Sequence, residues 1–293
     1  MVLNIISSSN APSWLHDNVL YLTMMGSVAY GVSNDNSDID IYGFCMPPKS
    51  ILFPHTAGEI PGFATQTPTF GQWQQHHIKD PNGKNKTYDF SVYSIVRYFQ
   101  LCMDNNPNMI DSLFTPRRAV LHSTAISERL RENRKMFLHK GAFHKFSGYA
   151  YSQMSKIENK TNSSNPKRAE SIEKYGYDVK FAYHVVRLAQ ECEQILETHD
   201  LDIEKGREIL KSIRRGEWEL ARLKDWFTEK EKHLARLYET STLQHRPNEA
   251  NIKALLLECI ESHYGTISQA VAKNVDVDDM ITELQGIIAK YKK

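Results

Sequence analysis

Between Leu20 and Gly43 the chain reads LYLTMMGSVAYGVSNDNSDIDIYG, and few folds accommodate that order of residues. An apolar run ends in Gly26-Ser27, a short turn follows, and two aspartates one residue apart, Asp38 and Asp40, lie inside a second apolar run. Ile39, Ile41 and Phe44 mark the second run as a strand, whose period of two projects Asp38 and Asp40 from the same face. Neighbouring carboxylates repel unless they share a proton or bind a cation, and oxygen ligands on a rigid strand suit Mg²⁺. Upstream, backbone N–H groups at the Gly26-Ser27 turn, leading into a helix N-terminus, can hold phosphate oxygens. A metal beside a phosphate cradle points to a nucleotide.

An isolated Asp-x-Asp is also what a solvated turn contains. A calcium loop over Asn34 to Tyr42 fails, because the Gly and Glu needed at loop positions six and twelve are not in place. The surrounding sequence is more particular. Gly-Ser followed some ten residues later by Asp-x-Asp resembles the nucleotidyltransferase superfamily of DNA polymerase β. The fuller wording GSVAYGVSNDNSDIDIYGF, with DFSVYSIVRYFQLCMDNNPNMIDSLF after it, resembles the RNA-ligase-associated polymerase-β-like nucleotidyltransferases of bacteria and phages. The similarity continues through KYGYDVKFAYHVVRL and IRRGEWEL and so covers most of the chain.

The resemblance implies an α+β protein: an α/β catalytic core with a mixed sheet and helices, followed by an all-α C-terminal domain. It implies transfer of a nucleoside monophosphate from an NTP, ATP or CTP, to a hydroxyl acceptor. Two Mg²⁺ ions, or Mn²⁺ in their place, would sit on Asp38, Asp40 and a third carboxylate from a later strand, Asp89. Gly26, Ser27 and Ser37 would face the nucleotide from the catalytic side, and Tyr177, Lys180 and His184 from the helical side. An RNA end, in tRNA or repaired RNA, is the expected acceptor. The rival readings are a protein or small-molecule acceptor, a non-catalytic nucleotide- or RNA-binding module, and a scaffold that has lost activity.

Read in order, APSWLHDN at 11–18 predicts a short helix running into a strand over Val19 to Met24, and Val28 to Val32 a brief helix after the turn. A strand follows over Asp38 to Met46 and stops at Pro47-Pro48. The next forty residues carry prolines and glycines without periodicity and read as a long loop. Within it Trp73, His76 and His77 either reach a base or phosphate, or pack the loop and face solvent. TYDFS at 87–91 is a short strand that places Asp89 among aromatic residues, where a charge is costly unless paired or bound to metal. The other role for Asp89 is the N-cap of a helix beginning near Ser91. That helix carries a broad apolar stripe, a second short helix ends near Phe114, and Ala119 to His122 form a last strand.

Beyond Thr124 only helical patterns occur, at about 125–135, 141–159, 167–197, 203–213, 216–239, 248–262 and 276–291. The boundary therefore falls near residue 123, giving a catalytic domain over 1–123 and a helical nucleotide- or substrate-binding domain over 124–293. Tyr177, Lys180 and His184 are spaced to share one helical face. Residues 140–190 hold nine Lys and Arg against four Asp and Glu, a local excess that suits triphosphate or nucleic-acid backbone. The whole chain is nearly neutral, with 36 basic and 35 acidic residues, so any nucleic-acid contact is a local patch. Four separated cysteines without a CxxC pair, no apolar run long enough to span a membrane and no basic leader before an apolar segment fit a cytoplasmic protein with reduced thiols.

Overall fold

The computed structural model describes residues 2–32, 39–60, 62, 66, 68–80, 86–159, 166–265 and 284–285. Helices α1 (Val2–Ser7) and α2 (Leu15–Asn18) precede strand β1 (Val19–Met24), which leads into the four-residue helix α3 (Gly26–Ala29). Strand β2 (Ile39–Cys45), helix α4 (Lys49–Leu52), strands β3 (Gln72–Lys79) and β4 (Thr87–Ser94), helices α5 (Ile95–Met103) and α6 (Pro107–Phe114) and strand β5 (Val120–Ser123) complete the first half. The second half has helices and no strand among its described residues: α7 (Ala125–Glu132), α8 (Ala142–Asn159), α9 (Pro166–Tyr175), α10 (Val179–Thr198), α11 (Arg207–Arg214), α12 (Leu220–Thr240) and α13 (Glu249–Tyr264).

The five strands form one mixed sheet in the order β3-β4-β2-β1-β5. β2 and β4 run parallel, and every other neighbouring pair is antiparallel. Alternation sorts the side chains of the central strands onto two faces. Ile41 and Cys45 of β2, with Tyr88, Phe90 and Val92 of β4, pack with Ile5, Ile6 and Leu15 from the first two helices. Phe44 of β2 and Tyr93 of β4 point the other way, into a larger buried cluster that takes in Tyr98 and Phe99 of α5, Phe146 and Ala150 of α8, Val185 and Val186 of α10 and Leu223 of α12. That cluster runs without interruption across residue 123, which is the last residue of β5. Tyr264, at the end of α13, returns to the sheet by donating its hydroxyl to the carbonyl of Pro47 just beyond β2.

The architecture is the expected α+β one, and several elements correct the details. The supposed forty-residue loop contains α4, a 3₁₀ turn at Pro54–Ala57 and the edge strand β3. Its sequence, QWQQHHIK, has two apolar residues, Trp73 and Ile78, an odd number of positions apart, and a bulge between Gln75 and Ile78 puts both into the cluster on the α1 and α2 side. Asp89 lies inside β4 and caps no helix. Ser94 takes that role, its hydroxyl accepting from the Arg97 N–H at 3.2 Å. The long helix expected over 167–197 is two, because Asp178 caps α10 by accepting from the Lys180 N–H at 2.9 Å. The helix expected over 276–291 lies outside the described residues, apart from Leu284 and Gln285.

Candidate active site

The parallel register of β2 and β4 sets Asp40 directly opposite Asp89. Neighbouring strands lie ~4.8 Å apart, and both aspartates belong to the alternate set that carries Phe44 and Tyr93, so their carboxyl groups leave the sheet on the same face. Both are half-buried. The neighbouring phenol of Tyr42 on that face is pushed up to about 12, first by burial, then by Tyr93 and the negative charge of Asp40. Tyr42 is therefore a neutral hydrogen-bonding wall at neutral pH.

The Gly26-Ser27 turn is packed against the first of these carboxylates. Met25 donates its N–H to the Asp40 carbonyl at 2.7 Å, tying the end of β1 to β2 at the aspartate itself. Gly26 has φ +61°, and a Cβ there would lie 2.4 Å from Asp40 Oδ2. Glycine is thus required twice, for its left-handed backbone and for the room it leaves. Ser27 follows in α3, half-buried. Asp38 and Ser37 lie outside the described residues, so the spatial relation shown is that of Gly26, Ser27, Asp40 and Asp89.

Asp89 is held from the edge strand. Its Oδ1 accepts the backbone N–H of His77 at 2.7 Å, while His76 Nδ1 stands 3.3 Å from Oδ2. Trp73, His76 and His77, for which the sequence allows contact with a base or phosphate as well as packing or solvent exposure, therefore divide. Trp73 is buried, its indole N–H donating to Asn10 Oδ1 at 2.9 Å, whereas both histidines surround the third carboxylate.

Three arginines from beyond β4 grip the segment that follows the turn. Arg118 donates to the carbonyls of Val28 and Ala29 at 3.1 and 3.3 Å and pairs with Glu204 at 2.6 Å. Arg214 of α11 donates to the Val32 carbonyl at 2.8 Å. Arg187 of α10 lies over the Tyr30 ring at 4.5 Å, donates to its hydroxyl at 2.7 Å and makes ion pairs with Asp111 and Glu191. Tyr30 in turn donates to Asp111 Oδ2 at 2.6 Å. Burial pushes the Asp111 and Glu191 carboxyls upward, and the Arg187 guanidinium opposes that push. These groups carried no spacing signal in the sequence, although Asp111 and Arg187 fall within the quoted family-like stretches and Arg214 within IRRGEWEL.

The helical-side candidates separate. Tyr177 precedes the cap of α10 and so does not share a helical face with Lys180 and His184; it is buried, its hydroxyl donating to the Trp218 carbonyl at 2.6 Å. That bond joins KYGYDVKFAYHVVRL to IRRGEWEL, and Gly216 with φ +76° meets Tyr175 at the same junction. Lys180 and His184 do lie one turn apart on α10, Lys180 exposed and His184 half-buried. The His184 imidazole is held well below its ordinary value by burial and then by Arg187, Lys180, Arg168 and Arg214. A cationic face thus stands next to the Tyr30–Val32 segment, through the contacts of Arg187 and Arg214.

The donor set of Asp40 and Asp89, half-buried, on one face and in register, fits a hard divalent cation. Among the described residues, Glu193, Glu197 and His233 form a separate group whose ligand atoms lie within 4.8 Å of one another. It joins α10 to α12, and Lys230 Nζ already sits 2.7 Å from Glu193, so it reads as an ion-pair network between helices. No described helix is long and apolar enough to cross a membrane.

Over residues 3–233 the chain matches the profile of a family described as the RNA repair pathway DNA polymerase beta family. Among solved structures, a nucleotidyltransferase-like protein from Exiguobacterium sibiricum is similar at 9% identity, covering 89% of this chain and 75% of that one with a TM-score of 0.31, a likeness too loose to bear on function. No curated protein matches.

Proposed function

The chain belongs to the RNA repair pathway DNA polymerase beta family and is a nucleotidyltransferase, and from that premise we propose that it transfers a nucleoside monophosphate from an NTP to the hydroxyl of an RNA end. The acceptor oxygen attacks the α-phosphorus, the bond from that phosphorus to the bridging oxygen of the β-phosphate breaks, and pyrophosphate leaves. The observation that carries this reading is the meeting of Asp40, Asp89 and the Gly26-Ser27 turn on one face of the sheet.

In this reading Asp40 and Asp89, with Asp38, hold Mg²⁺. Bound divalent ions lower the pKa of the attacking hydroxyl and offset charge on the triphosphate and the departing pyrophosphate. Backbone N–H groups at the Gly26 turn and the Ser27 hydroxyl would take phosphate oxygens, and Ser37, by its place in the family motif, would add a second hydroxyl. Lys180 and His184 present donors from the helical side, and Tyr177 contributes indirectly by fixing the start of α10. Arg118, Arg187 and Arg214 position the turn rather than the nucleotide, since each is committed to the segment from Val28 to Val32.

Incubation with each α-³²P-labelled NTP, Mg²⁺ and either total RNA or total protein tests the proposal. Label is expected in RNA and lost in Asp40→Ala, which removes transition-state stabilisation of about 3 to 4 kcal/mol, or roughly a 10²- to 10³-fold fall in rate. Label in protein would replace RNA by a protein acceptor. Nucleotide binding without transfer to any acceptor would leave a binding module.

A further inference from the structure

Resting on the reading of RNA as the acceptor, we infer that α8 carries a docking track for single-stranded RNA that leads to the start of α10. The helix buries Phe146, Ala150 and Met154 in the large cluster and packs against α10. On its outer side two rows of residues four apart, Lys145, Tyr149, Gln153 and Gly148, Ser152, Lys156, line an open groove of about 400 Å³. From Lys145 to Lys156 the groove runs ~17 Å along the helix axis, the length of a few nucleotides.

Its charge has one sign. Between Ala142 and Ile157 the helix holds no Asp or Glu, whereas a solvated helical face commonly mixes both signs. Lys145 pairs with Asp104 at 2.6 Å, but both groups are exposed, and such a pair exchanges readily for a phosphate. At the other end Lys156 lies over the Phe181 ring at 5.7 Å, and Arg168 lies over the same ring at 4.5 Å. Cations gathered on one ring repel. Asp178 stands 3.6 Å from Arg168, while Lys156 has no carboxylate partner among the described residues. Lys180 follows immediately on α10, so a strand leaving the groove arrives where the nucleotide is proposed to bind. A phosphate backbone supplies the missing negative charge.

Its rings select a single strand. Tyr149 is 43% exposed and Tyr151, three residues beyond Gly148, 65%. Neither makes a ring contact or hydrogen bond with another described residue. Exposed aromatic faces stack on unpaired bases, which a duplex does not present. A Cβ at Gly148 meets nothing within 4 Å, so the groove is open between the two rings.

Fluorescence anisotropy of a labelled, unstructured single-stranded RNA on the full chain tests the track, with Gly148→Glu as the central variant. Glutamate is a better helix former than glycine, so the fold is kept while the groove receives a bulky negative charge. RNA affinity is expected to fall about tenfold or more in Gly148→Glu and in Tyr149→Ala, and to be kept in Gly148→Ala. Lys156→Gln lowers the slope of log affinity against log salt by about 0.7. In nucleotide transfer Gly148→Glu and Tyr149→Ala raise KM for a long RNA, while kcat and NTP affinity hold. RNA affinity unchanged in those two variants while transfer to RNA persists overturns the track and leaves the RNA acceptor standing. Equal affinity for a duplex overturns the assignment to a single strand. Label that enters protein instead of RNA overturns the acceptor and the track with it.

Discussion

Gly26 is the position with the least freedom to change. Any Cβ there meets the Asp40 carboxylate and the backbone is left-handed, so Gly26→Ala displaces either the turn or the aspartate. Strain of about 1–2 kcal/mol follows from the backbone alone, and nucleotide transfer is expected to fall at least as far as in Asp40→Ala while the circular dichroism spectrum is retained. Near-normal single-turnover rates in Gly26→Ala would break the link between turn and carboxylate. His184 yields a pH prediction. Its folded pKa is depressed, so below about pH 6.5 the unfolded chain takes up a proton that the folded chain does not, and stability falls as pH drops. His184→Gln removes that component, and the curve of urea-unfolding free energy against pH should flatten below about pH 6.5. An unchanged slope would show that burial and its cationic neighbours do not govern this imidazole.

At the level of elements, legibility followed periodicity. β1 and α2 fall where Val19 to Met24 and the residues before it placed them, because their apolar and capping signals are local. β3 escaped notice because its bulge breaks the alternation that identifies a strand, and that irregularity is what brings His76 and His77 to Asp89. The α9–α10 break was hidden for a different reason: the amphipathic pattern continues through Tyr177, and the boundary depends on Asp178 folding back onto the Lys180 N–H. Asp40 and Gly26 could be singled out from motif spacing, whereas the arginine grip on Val28 to Val32 spans up to 182 residues of sequence and has no local signature. Element ends give a simple check. Ser94 caps α5 immediately after the strand that carries Asp89, and Ser94→Ala should cost about 1 kcal/mol in chemical denaturation. No change would mean that the Arg97 N–H finds another acceptor.

Across the whole molecule, sheet and helices share one buried cluster that passes through residue 123 without a gap. Residues 1–123 and the helices after them should therefore unfold together. Trp14 and Trp73 report on the sheet side and Trp218 and Trp226 on the helical side, so single-tryptophan variants in urea should give coincident midpoints. Two separated transitions would instead mark two independent bodies. The Asp111–Arg187–Glu191 network lies across the same join, and Arg187→Met strands two buried carboxyls, at a cost of about 3–5 kcal/mol. The shared midpoint should move down for the tryptophans of both sides in that variant.

The arginine grip also has a consequence for synthesis. A ribosome delivers the strands bearing Asp40 and Asp89 well before Arg187 and Arg214 are polymerised, so in a nascent chain the segment after the Gly26-Ser27 turn still lacks two of its three anchors. Full anchoring of that segment therefore waits until α11 has been made and has docked against it.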